Sequence, residues 1–126
     1  MSVIELTKEN FQAATKAEQP LIIDFWAPWC GPCRQFAPTF EAAAEKHPDV
    51  TFAKLNTEEQ QEIAAALNIR SIPTLMVFRE NVLLFQQAGA LAASQLDDLL
   101  TQVKAVDMAQ VHAEIAAQEN GGAAGN

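Results

Sequence analysis

The chain has 126 residues, about half of them apolar, and a formal net charge of −8. That suffices for one compact domain with its own core and hardly for two. The acidity argues against nonspecific nucleic-acid binding, which needs a Lys/Arg-rich face for the phosphates, and reads as solubility.

No stretch approaches the roughly 20 apolar residues of a membrane helix. Two cysteines are too few for a disulfide framework. The segment Met1 to Thr7 has no basic region, apolar core or cleavage site, so a cytoplasmic location is expected.

In chain order, Val3 to Leu6 reads as a short strand, and Thr7 as the cap of a helix from Lys8 to about Ala17. Leu21 to Trp26 is an almost continuous apolar run, the pattern of a strand covered on both faces. A helix follows to Lys46, with Pro32 in its first turn and Pro38 as an internal kink. Val50 to Leu55 reads as a strand. Thr57 is the expected cap of the next helix, with Glu58 and Glu59 in its first turn and Asn68 as a left-handed stop. Thr74 to Phe78 and Val82 to Gln87 form a hairpin across Arg79-Glu80-Asn81.

A helix from Leu91 to about Val106 completes the order β-α-β-α-β-α-β-β-α. That order implies an α/β domain over 1–106, a central mixed five-stranded sheet with helices on both faces. Residues 107–118 form a short helical extension capped by Asp107, with Met108, Val111 and Ile115 as its apolar stripe. The extension is read as docked on the domain or fraying, with a partner site as the sharper possibility. Residues 119–126 are Gly/Ala/Asn-rich and expected to be disordered.

The chemistry centres on Cys30-Gly31-Pro32-Cys33, which holds both cysteines where a strand meets a helix. Unpaired N–H groups and the helix dipole favour a negative sulfur at Cys30, the expected nucleophile. Cys33 lies one turn further in and is the expected resolving thiol. Pro32 offers no N–H to the Cys30 thiolate, which tilts the pair toward reduction of its partners. A zinc site would need ligands the chain lacks, since His47 and His112 lie at no ligand spacing. A pair of inert buried cysteines is disfavoured by the helix-start position and Trp29.

Asp24 stands inside the most apolar strand, where a carboxylate should carry a raised pKa or a partner. It reads either as a proton exchanger for Cys33 or as a structural polar residue, and Lys54 is a candidate partner. Ile72-Pro73 opens a strand, and the residues alone give no reason for a cis bond.

Trp26 to Cys33, Asp24 in its apolar strand, Pro38, Ala53 to Asn56, Ile69 to Thr74 and Gly89-Ala90 together resemble the bacterial thioredoxin family over residues 3–105. The resemblance implies the thioredoxin fold and a protein disulfide reductase with Cys30 and Cys33 as the redox pair. It implies Asp24 as the buried proton-transfer acid with Lys54 nearby, and Pro73 as a cis-proline facing the dithiol. Trp29, Gly31, Pro32, Ile72, Pro73, Gly89 and Ala90 would form the surface for substrates and for the recycling reductase.

The implied protein is a monomer that binds no cofactor or metal. It draws reducing equivalents from NADPH through thioredoxin reductase, acts on disulfide-containing proteins, and binds neither nucleic acid nor membrane. Three departures stand out: no Asn-Gly in the hairpin, Ala92 where the family has a Ser cap, and residues 107–126 beyond the usual end. The alternative class is a co-chaperone that holds clients on the apolar surface or the extension. An exported oxidant is a third reading, opposed by Pro32.

Overall fold

Strand β2 (Leu21–Trp26) lies at the centre of the sheet, whose order is β1-β3-β2-β4-β5. The computed structural model describes residues 3–125, with side chains described as far as Glu119. Strands β1 (Val3–Glu5) and β3 (Thr51–Asn56) run parallel with β2. Strands β4 (Thr74–Arg79) and β5 (Val82–Ala88) close the sheet as an antiparallel hairpin. The helices are α1 (Phe11–Lys16), α2 (Gly31–Lys46), α3 (Gln61–Ala66), α4 (Ala93–Ala105) and α5 (Met108–Gly125).

Alternation along β2 divides the core. Ile22 packs with Phe36 and Phe40 of α2 and Leu96 and Leu100 of α4. Ile23 and Phe25 pack on the other face with Leu55, Met76 and partly buried Phe11 and Ile63. Both faces of β2 are therefore buried, as its unbroken apolar run requires. Each fully buried Phe, Leu or Ile contributes about 1.5–3 kcal/mol.

Two helices begin later than their threonines suggest. The Thr7 N–H donates to Asn10 Oδ1 at 2.7 Å, and Thr7 Oγ1 accepts from the Glu9 N–H at 3.3 Å. These bonds fold residues 8–10 into a turn, and the helix starts only at Phe11. Thr57 likewise sends its hydroxyl to the Trp26 carbonyl at 3.0 Å, so it ties β3 to β2 and caps nothing.

Other local signals hold. Asn68 stops the chain at φ 58°, and the hairpin turns through Glu80 at 53° and Asn81 at 65°. Both values are positive, as a two-residue primed turn demands, without the usual glycine. Ala92 caps α4 without a side-chain bond, and Gln95 Oε1 accepts the Ala92 N–H at 2.9 Å.

Helix α5 docks against the hairpin end. Asp107 Oδ1 accepts the Gln110 N–H at 3.2 Å, the expected acid cap. Met108 is buried, and Val111 and Ile115 are half-buried on the same stripe. Arg79 Nη1 donates to the carbonyls of Val103 and Val106 at 3.1 and 3.2 Å, which satisfies the end of α4. His112 Nε2 lies 2.9 Å from Glu80 Oε1.

The backbone stays helical to Gly125, where composition suggests a disordered tail from Glu119. Once the first turns are fixed by docking, elongation adds one bond per residue and proceeds readily through Ala116, Ala117 and Gln118. The side chains of residues 120–125, and all of Asn126, lie outside the described residues.

A docked α5 makes Met108 part of the core. Met108→Ala should lower the unfolding free energy in urea by about 2 kcal/mol. A change within error would mean that α5 does not pack there.

Candidate active site

The junction between β2 and α2 sets the geometry of the two sulfurs. Trp26 ends the strand, and the Cys30 N–H returns to the Ala27 carbonyl at 3.1 Å, which turns the chain sharply. Cys30 is extended (φ −85°, ψ 109°) and occupies the N-cap of α2, with Gly31 and Pro32 as the first helical residues. A capping side chain accepts a backbone N–H one turn on. Here that acceptor is sulfur: the Cys33 N–H points at Cys30 Sγ at 3.2 Å. Cys30 and Cys33 form a disulfide, with Cα atoms 5.3 Å apart. Both sulfur residues are buried, whereas Trp29 beside them is 66% exposed.

Sheet register brings two further segments to the same place. Phe25 pairs with Thr74 across the antiparallel β2–β4 ladder, so Pro73 falls opposite Trp26, four residues before Cys30. Thr74 pairs with Ala88, and the Gly89 N–H donates to the Pro73 carbonyl at 2.8 Å. Gly89 takes φ 96°, a left-handed backbone that side-chain-bearing residues rarely adopt. The Ile72–Pro73 bond is cis, and the Ile72 carbonyl oxygen lies 3.9 Å from Cys30 Sγ. Three loops thus converge on the dithiol.

Asp24 shares a face with Ile22, by the two-residue period of the strand, and therefore points to the α2 side. It is buried, and its Oδ1 has no hydrogen-bond partner. Burial raises its pKa from 3.8 to about 7, against the opposing pull of the Lys54 charge. Asp24 and Lys54 are register partners on β2 and β3. No ion pair joins them among the described residues; the Lys54 ammonium lies over the Trp26 ring, 5.0 Å from its centroid. Lys54 is thus a nearby charge rather than a salt-bridge partner.

The positions singled out from sequence gather on this face: Cys30, Gly31, Pro32 and Cys33 on the first turn of α2, Trp29 before it, Ile72 and Pro73 before β4, and Gly89 and Ala90 after β5. Three features escaped the sequence reading. Arg34 Nη1 donates to the Pro28 carbonyl at 2.7 Å and braces the loop that carries Trp29. Trp26 Nε1, on the same strand as Asp24, is buried without a partner. Arg70 borders a depression next to the dithiol. Each depends on tertiary placement and has no local signal. Among the described residues, no group of three or more His, Cys, Asp or Glu side chains is placed to hold a metal ion.

A redox-active dithiol capping a helix at the end of a central parallel strand defines a thiol–disulfide oxidoreductase. The thioredoxin family model matches residues 2–117. The chain is 49% identical over 118 residues to the putative thioredoxin 2 of Streptomyces coelicolor, covering 94% of this chain and 88% of that protein. It is 44% identical over 103 residues to the thioredoxin of Alicyclobacillus acidocaldarius, covering 81% and 98%. The solved structure of Malassezia sympodialis thioredoxin superposes with a TM-score of 0.73 at 34% identity, over 80% of this chain and 90% of that one.

The chain belongs to the thioredoxin family. It is a protein disulfide oxidoreductase that works by thiol–disulfide exchange at the Cys30–Cys33 pair. No helix among the described residues is long and apolar enough to cross a membrane.

The raised pKa of Asp24 has a signed consequence. Between pH 3.8 and about 7 the folded protein retains a proton that the unfolded chain releases, so stability falls as pH rises through that window. The loss is fully developed above pH 7 and reaches at most about 4 kcal/mol. Urea titrations of the oxidised protein should show Asp24→Asn gaining stability over the parent at pH 8 and little at pH 4. An equal gain at both pH values would show that Asp24 is not buried as an acid.

Proposed function

We propose that the protein runs this exchange as a reductant of protein disulfides, with Cys30 attacking and Cys33 resolving. The observation that carries the reading is the Cys33 N–H aimed at Cys30 Sγ at 3.2 Å on the first turn of α2. A donor there stabilises a Cys30 thiolate, and because the two cysteines are equally buried this bond is what sets them apart.

The Cys30 thiolate attacks one sulfur of a substrate disulfide. That S–S bond breaks, a mixed disulfide forms, and the first substrate thiolate leaves and takes a proton. Cys33 then loses its proton to the Asp24 carboxylate, directly or through water, and attacks Cys30 Sγ. The second substrate sulfur departs and takes a proton in turn. The substrate gains two electrons and the protein ends as the Cys30–Cys33 disulfide. A pKa of about 7 lets Asp24 accept and return a proton near neutrality.

The convergence of Trp29, Gly31, Pro32, Ile72, Pro73, Gly89 and Ala90 supports a substrate surface here, with the Ile72 backbone open to an extended chain. Family membership supports NADPH, delivered through thioredoxin reductase, as the source of electrons, with no cofactor bound to this chain. A reducing compartment such as the cytoplasm suits a chain whose only two cysteines are the reactive ones. A monomer suffices, because every group in the cycle comes from one chain.

Cys30→Ser should abolish reduction of a disulfide-bonded test protein. Cys33→Ser should accumulate a stable mixed disulfide through Cys30, visible on a non-reducing gel and by mass. Turnover that survives in Cys30→Ser, or trapping through Cys33 in place of Cys30, would overturn these roles.

A further inference from the structure

We infer that the site prefers substrates in which an acidic residue lies close to the reactive cysteine, and that Arg70 is the residue that selects them. The inference rests on the reductase reading above and names its substrate class.

A depression of about 180 Å³ opens beside the dithiol, lined by Trp29, Thr57, Ile69, Arg70, Ser71 and Ile72. It has room for one aliphatic side chain against Trp29, Ile69 and Ile72. It adjoins the reactive sulfur, because the Ile72 carbonyl is 3.9 Å from Cys30 Sγ. Arg70 is the charged residue of its lining.

Arg70 is exposed, and its Nε donates to Asn68 Oδ1 at 3.1 Å. Asn68 is fixed in turn by its left-handed backbone, φ 58°. The guanidinium is therefore oriented, with both Nη groups left to donate. Among the described residues no carboxylate lies within ion-pair distance of it, although acids outnumber bases 16 to 8 in the chain. Lys46 and Lys104, far from the dithiol, are both paired with aspartates.

Glu58 and Glu59, which follow Thr57 in the chain, line a separate depression with Lys8, Glu9 and Glu62. They repel anions on the Thr57 side and leave the Arg70 side for a carboxylate. Arg70 precedes Ile72 by two residues across the bend that starts at Ser71, and both line the same depression. A substrate strand beside Ile72 would bring a residue two positions from its cysteine to the guanidinium. The long-range field of a −8 chain opposes acidic substrates, but it is screened beyond about 8 Å at physiological salt. The oriented contact then decides.

The test uses two cyclic disulfide peptides that differ only at the positions two residues either side of the attacked cysteine, glutamate in one and glutamine in the other. Second-order rate constants for their reduction by the pre-reduced full chain are measured at 0.15 M salt. The Glu/Gln rate ratio should be about three to five for the parent, close to one for Arg70→Gln, intermediate for Arg70→Lys, and below one for Arg70→Glu. It should collapse in 1 M salt. A parent ratio of one or less, or a ratio that survives Arg70→Gln, would overturn the inference while reduction of both peptides upholds the reductase reading. Failure to reduce either peptide would overturn both.

Discussion

The site depends on one junction, the point where β2 ends and α2 begins. A buried strand must end there, and a helix must start with its first N–H groups unpaired. Sulfur fills the capping position that an oxygen would ordinarily take, so the Cys33 N–H points at Cys30 Sγ. Sheet topology then does the rest. Because β4 runs antiparallel to β2, its entry segment, Ile72-Pro73, arrives beside the exit of β2. Because β5 pairs with β4, Gly89 arrives beside Pro73 and bonds to it.

The same junction explains why the site opposes the stability of the fold. Asp24 lies on the α2 face of the central strand, the face on which Ile22 packs into the core, and is itself buried. Its Oδ1 and the Nε1 of Trp26 are both buried without partners. Unpaired buried polar groups are uncommon in folded proteins and cluster where function holds them. A leucine at Asp24 would suit the core better, but the proposed exchange of a proton with a thiol needs the acid. Lys54, held over Trp26, supplies positive charge nearby without neutralising the acid in an ion pair. Asp24 therefore keeps a pKa near neutrality, where proton transfer is useful.

Much of this was legible in the residues. The unbroken apolar run Leu21–Trp26 marked the central strand, and the cysteine pair at a strand–helix boundary marked the chemistry. Asp24 stood out because its charge broke the run. The delayed starts of α1 and α3 were not legible: Thr7 and Thr57 are good cap residues, but the Thr7 hydroxyl accepts from the Glu9 N–H while its backbone N–H goes to Asn10, and the Thr57 hydroxyl goes to Trp26. Separating these outcomes needs the tertiary partner, which spacing cannot supply. The cis Ile72–Pro73 bond had no local signature and followed only from the family resemblance. The Arg34 brace and the rim position of Arg70 arise from contacts between loops that sequence separation hides.

On the proposed roles, one helix terminus makes two sulfurs three positions apart chemically unequal. The most direct test is a pH titration of the reduced protein followed by the 13Cβ shift of each cysteine. Cys30 should ionise below the ordinary thiol pKa of about 8.5 and Cys33 above it, with an inflection near neutrality from Asp24 that Asp24→Asn removes. If both cysteines titrate together near 8.5, or if Cys33 ionises first, the helix terminus does not govern the dithiol.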